Sequence, residues 1–78
     1  MYSKTTIERQ VLAYMMHSEK HRLDILEQVR LDDFDSDFHR RICDKIGQMQ
    51  INGEPVDAVT VGLMFPGKAV EISDIYDA

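Results

Sequence analysis

Apolar residues return every three or four positions along most of this chain, the period of a helix with one buried face. Ile7, Val11, Leu12, Met15 and Met16 form the first stripe, and Thr5 with Glu8 three residues on has the form of a capping box. The spacing predicts a helix over 6–16. Ser18 is a candidate N-cap for a second helix over 19–29, with Leu23, Ile25, Leu26 and Val29 as its apolar positions. From Leu31 to Asp37 the chain turns acidic and polar, which reads as a loop. Ser36 or Asp35 can then cap a third helix, whose stripe is Phe38, Ile42, Cys43, Ile46 and Met49. Phe38, Ile42 and Ile46 are expected to line the core on one face. Asn52-Gly53 closes this helix, since both residues tolerate the left-handed conformation of a C-cap.

The next segment has two readings. Val56-Asp57-Ala58-Val59-Thr60-Val61 is β-branched enough for a strand. Yet Asp57 is a good N-cap, and Val56 and Val61 stand at the two positions of a hydrophobic staple. These features favour a fourth helix, carried on by Leu63, Met64 and Phe65 until Pro66-Gly67 breaks it. The tail, with Val70, Ile72, Ile75 and Tyr76, reads as a short fifth helix capped by Ser73 or as a strand-like arm against the core. The fold class expected is all-α, an orthogonal bundle of four to five short helices.

Composition narrows what such a bundle can do. Seventy-eight residues, 44% hydrophobic and 29% charged, make one small globular domain. The net charge of −5 argues against a nucleic-acid groove, which needs clustered Lys and Arg. A single cysteine, Cys43, forms no internal disulfide; on a helix's apolar stripe it reads as a buried thiol, and the chain reads as cytoplasmic. No apolar run approaches the ~18 residues of a membrane span, and no signal-peptide pattern opens the chain. A domain this short works by binding rather than by nucleotide-driven catalysis.

Three patterns come near to known chemistry, and each fails a specific test. Gly62 through Lys68 matches the start of a phosphate-binding loop, but Ala69 stands where Ser or Thr must hold Mg²⁺, and Pro66 lacks an N–H for phosphate. Asp33, Asp35 and Asp37 alternate as in a calcium loop, but Phe38 replaces the turn glycine and Asp44 the bidentate Glu. Their reading as helix-capping charge is stronger. His17 and His21 are four apart, yet Ser18 rather than Glu follows the first, and Ser18 opens a new helix. No residue is therefore assigned to catalysis, a cofactor or a metal. Partner-binding residues are unassigned too, with Arg9, Lys20, Arg22, Arg40 and Lys45 as exposed candidates.

Three stretches together resemble the N-terminal domain of DnaB-type replicative DNA helicases. Ile7-Glu8-Arg9-Gln10-Val11-Leu12-Ala13 is similar to that domain's opening helix. Asp33-Phe34, then Phe38-His39-Arg40-Arg41-Ile42, resembles its Asp-Phe, aromatic, His-Arg, aliphatic series. Gly53-Glu54-Pro55-Val56-Asp57-Ala58-Val59-Thr60-Val61 resembles its Gly-x-Pro-Val-Asp-x-Val-Thr signature, the most specific of the three. The likeness runs from about Thr5 to Phe65, and the sequence after Pro66 departs from the pattern.

The resemblance implies a helical domain without catalysis of its own. In that family it forms a collar on the hexameric motor, contributes to ring assembly and helps recruit primase. The ATP-dependent motor would lie on a domain this chain lacks, and the family's helical hairpin, through which N-terminal domains pair, would follow Ala78. Residues 1–78 are thus expected to be a single collar-type domain lacking the hairpin, a monomer or weak dimer, with weak or absent primase binding. The expected partners are helicase subunits, primase and a loader, without direct nucleic-acid or membrane contact. The alternatives are a free-standing phage or plasmid adaptor that regulates helicase loading, and the helicase-binding region of a primase.

Overall fold

Ser3, not Thr5, opens the first helix: its hydroxyl accepts the Thr6 N–H at 3.2 Å. In this computed structural model, which describes residues 3–78, the order is α1 (Lys4–His17), α2 (Glu19–Gln28), a 3-10 turn (Leu31–Asp33), α3 (Asp37–Ile51), α4 (Ala58–Leu63) and α5 (Ala69–Tyr76). The expected all-α bundle is present, and no strand forms among the described residues.

Ser18 alone divides α1 from α2. Its extended backbone (φ −143°, ψ 124°) breaks the spiral, its N–H closes α1 on the Tyr14 carbonyl, and its hydroxyl accepts the His21 N–H. Ser36 caps α3 in the same way through the His39 N–H. At the other end of α3, Asn52 stays right-handed and only Gly53 turns left-handed, at φ 72°. Gly53 N–H then reaches the Gln50 carbonyl and Glu54 N–H the Met49 carbonyl, the paired bonds of a Schellman closure.

The Val-rich segment is helical. Asp57 and Thr60 form a reciprocal capping box: the Asp57 carboxylate accepts the Thr60 N–H at 2.8 Å, and the Thr60 hydroxyl accepts the Asp57 N–H at 2.9 Å. Bonds donated to it, the Thr60 N–H first and then the Thr60 hydroxyl and the Val59 N–H, hold the Asp57 carboxyl below its ordinary value against a smaller opposing effect of desolvation. Val56 and Val61, the staple pair, are both buried in the core. The helix stops at Leu63, two residues before Phe65, and a turn through Gly67 (φ 81°) leads into α5. The tail is therefore a fifth helix and not an arm. It begins at Ala69, so Ser73 lies inside it and caps nothing.

α1 is the spine, packing against α2, α3 and α5, while α4 rests mainly on α5. Leu12, Met15, Ile42, Ile46, Met49, Val61 and Ile72 are the fully buried side chains at the centre. Phe38 is not among them. It is half-buried at the rim, edge-on to Phe65 with ring centres 5.7 Å apart. The loop residue Phe34 takes the interior place instead, at 3% exposure. Cys43 is buried as expected, and desolvation, with the nearby Asp44 charge, pushes its thiol up to about 11.

Candidate protein-interaction surface

Three polar residues go inside, and each holds helices together. Glu8 on α1 is buried, and its carboxylate accepts three hydrogen bonds: from Asp35 N–H (2.6 Å), Ser36 N–H (3.3 Å) and His39 Nδ1 (2.8 Å). Burial pushes the Glu8 carboxyl up, but those donors together outweigh it and hold the group below its ordinary value of 4.5. An ionised carboxylate can only accept, so the proton of this pair sits on His39 Nδ1. Glu8 thus ties α1 to the loop and first turn of α3, instead of folding back onto the start of its own helix.

Arg22 is the second. It is 7% exposed, not a surface cation, and its guanidinium donates to the Met15 carbonyl (2.8 Å) and to Gln50 Oε1 (2.7 Å). It thereby joins α1, α2 and α3. Arg40 is half-buried and fixes the preceding loop by donating to the Phe34 carbonyl at 2.9 Å, with a second bond to Asp37. Lys45 is half-buried as well, so Arg9 and Lys20 are the two of the five candidate cations that stand exposed.

The three near-motifs resolve into architecture. Gly62 lies within α4, the residues after Leu63 form a turn, and Lys68 Nζ sits 5.9 Å from the centre of the Phe38 ring. Asp33 accepts the Arg30 N–H, Asp35 pairs with Lys4, and Asp37 pairs with Arg40 and Arg41, so the three carboxylates diverge. His17 stacks on Tyr76 and donates from Nε2 to its carbonyl at 2.6 Å, while His21, on the next helix, meets the edge of Tyr14. Among the described residues, no group of three His, Cys, Asp or Glu is placed to hold a metal ion. None of the described helices is long and apolar enough to cross a membrane.

What remains for function is surface. Shallow clefts open between helices, one of them between α1, α3 and α5 with Arg9, His39, Glu71 and Asp74 around Phe38. Apolar side chains stand in solvent singly on α1, at Ile7 and Tyr14, and in groups at two further places. One is the α2–α3 side, where Leu23, Leu31 and Ile51 are exposed beside a cleft floored by Leu26, Cys43 and Gly47. The other is the α4–α5 edge, with Val59, Leu63, Met64 and Val70.

The chain belongs to the DnaB-like helicase N terminal domain family, whose model matches residues 1–75. Among solved structures, it is similar to the crystal structure of the N-terminal domain of DnaB helicase from Mycobacterium tuberculosis, with a TM-score of 0.83 and 31% identity. That match takes in 90% of this chain and 56% of the other, so these residues span little more than half the length of that domain. No protein with a curated function matches the chain. The fold and the family agree with the resemblance read from the three sequence stretches.

Proposed function

We propose that the chain is a non-catalytic, collar-type interaction domain of a replicative DNA helicase, contributing to ring assembly and to recruitment of primase in DNA replication. The observation that carries this reading is the family match over residues 1–75. The structure supports the non-catalytic part. The segment nearest to a nucleotide motif is a helix end and a turn, Ala69 replaces the Mg²⁺-holding hydroxyl, and Lys68 lies over an aromatic ring. Other helicase subunits, primase and a loader are the partners this role calls for, and a net charge of −5 disfavours direct contact with nucleic acid.

On its own the chain is a monomer or weak dimer, because its helical stripes are largely consumed by its own core and stable interfaces bury ~1,200 Å² or more. Gel filtration with light scattering and a titration against purified primase test the reading. The expected results are a near-monomeric mass and weak primase binding. No primase contact at any concentration, together with no association with helicase rings, would overturn it. Stoichiometric, Mg²⁺-dependent ATP turnover by the purified chain would contradict the non-catalytic part.

A further inference from the structure

The α4–α5 edge combines two features. The first is apolar exposure: Val59, Leu63 and Val70 are 70%, 74% and 71% exposed. Between the two helices runs an open groove of about 330 Å³, lined by Ala58, Val59, Gly62, Leu63, Ala69 and Ser73. Its lining carries no charge, and its smallest members let an incoming backbone come close. Val59 and Leu63 are one turn apart on α4, which suits the i, i+3, i+4 anchors of a helix laid into a groove.

The second feature is charge. Residues 52–78 hold five carboxylates, Glu54, Asp57, Glu71, Asp74 and Asp77, against the single cation Lys68; residues 1–51 hold eight cations against nine carboxylates. Nearly all the net charge of −5 therefore belongs to residues 52–78, which include α4 and α5. Asp57 stands directly before Ala58 and Asp77 follows Ser73 by one turn along α5, while Glu71 and Asp74 line the cleft beside Arg9 on the α1–α3 side. Lys68 is drawn away from the groove, over the Phe38 ring toward α3. A second copy of the chain would bring the same negative edge against itself, and like charges at an interface oppose docking.

We propose that the groove between α4 and α5 docks an amphipathic helix from a different protein, one whose apolar face is flanked by lysine and arginine. The proposal rests on the interaction-domain reading and names the surface and the chemistry of the partner. Apolar anchors would enter beside Val59 and Leu63, while the basic flanks meet Asp57 and Asp77. Contact of this size is weak, and it weakens further as salt screens the exposed carboxylates.

The test is a titration of the ¹⁵N-labelled chain with a designed leucine–lysine amphipathic helical peptide and with its leucine–glutamate twin, read by amide shifts. The lysine peptide is expected to move amides of α4 and α5, and the glutamate twin to bind at least tenfold more weakly. A Val59→Ser/Leu63→Ser variant keeps every charge and removes only exposed apolar groups, so it is expected to fold normally and to lose at least fivefold in affinity. Shifts centred on α1–α3, equal binding of the two peptides, no binding of either, or undiminished binding by the double variant would each overturn the proposal. So would concentration-dependent shifts of α4 and α5 in buffer alone, which would make a second copy the occupant. Primase binding elsewhere on the chain would leave the interaction-domain reading standing while the groove failed. Groove binding with no primase contact would do the reverse.

Discussion

The α1–α3 junction and the α4–α5 edge use side chains in opposite ways. At the junction, polar groups go inside: Glu8 holds His39 and two loop amides and Arg22 holds Met15 and Gln50, while half-buried Arg40 holds the Phe34 carbonyl. At the edge, apolar groups stay outside, with Val59, Leu63 and Val70 each more than two-thirds exposed. A buried polar group is tolerated only when its partners are in place, so the junction is a lock whose members depend on one another. An exposed valine or leucine has no such dependence, and changing it alters the surface and little else.

The comparison also explains which residues carry the family likeness. Glu8, Phe34, His39 and Arg40 build the junction, while Gly53, Val56, Asp57, Thr60 and Val61 turn the chain and cap and seat α4. These are constraints of architecture. Val59, which projects from the same signature stretch, is its exposed large apolar member.

The comparison is broken most severely in the core both regions share. Ile42→Ala is expected to cost about 2–5 kcal/mol, as buried aliphatic truncations do, measured by urea unfolding. Phe38→Ala is expected to cost clearly less, because its ring sits at the rim; equal losses would return Phe38 to the centre of the stripe.

Acid acts next, and it acts on the junction. The Glu8 carboxyl lies below its ordinary value of 4.5 in the folded chain, so the folded state binds fewer protons there than the unfolded state. The stability this gives is present above the unfolded value and is lost as pH falls through the lowered folded one. Melting temperatures taken from pH 6 down to pH 2.5 should therefore fall, and more shallowly in Glu8→Gln. An unchanged slope in that variant would show that other carboxylates control acid unfolding.

Removing the Ser36 hydroxyl by Ser36→Ala should cost ~1 kcal/mol by denaturant titration, the usual loss of an N-cap. At the small end stands Ile51→Ser. Ile51 is 84% exposed, and the change should lie within ~0.5 kcal/mol of zero. A larger loss would mean that the α2–α3 side is packed more tightly than its exposure indicates.

The helices were legible in the sequence because their apolar periods and serine or aspartate caps are local signals. Ser18, Ser36 and Asp57 act where their side chains can reach the next turn's amides. The buried polar residues were less legible, though their positions held a signal. Arg22 precedes Ile25, Leu26 and Val29 by three, four and seven residues, and His39 precedes Ile42, Cys43 and Ile46 by the same steps. Each thus continues its helix's buried stripe by one turn, as Glu8 does before Leu12 and Met15. A pattern of apolar types passes over them because the partners that make burial tolerable, Gln50, the Met15 carbonyl and the Asp35 amide, are distant in sequence or belong to the backbone. Phe34 lies in the loop, and only the tertiary fold turns it inward. The α4–α5 groove depends on how two short helices pair, which neither helix encodes alone.

Parallel thermal melts of Glu8→Ala and of Val59→Ser/Leu63→Ser test most directly whether the junction holds the fold while the edge is free for a partner. Breaking a buried, hydrogen-bonded charge costs about 3 kcal/mol or more, which in a domain of this size lowers Tm by well over ~10 °C. The expected result is that loss for Glu8→Ala and a Tm within ~3 °C of the parent for the double variant, whose changes lie in solvent. Comparable losses in both, or a stable Glu8→Ala beside an unfolded double variant, would contradict the account.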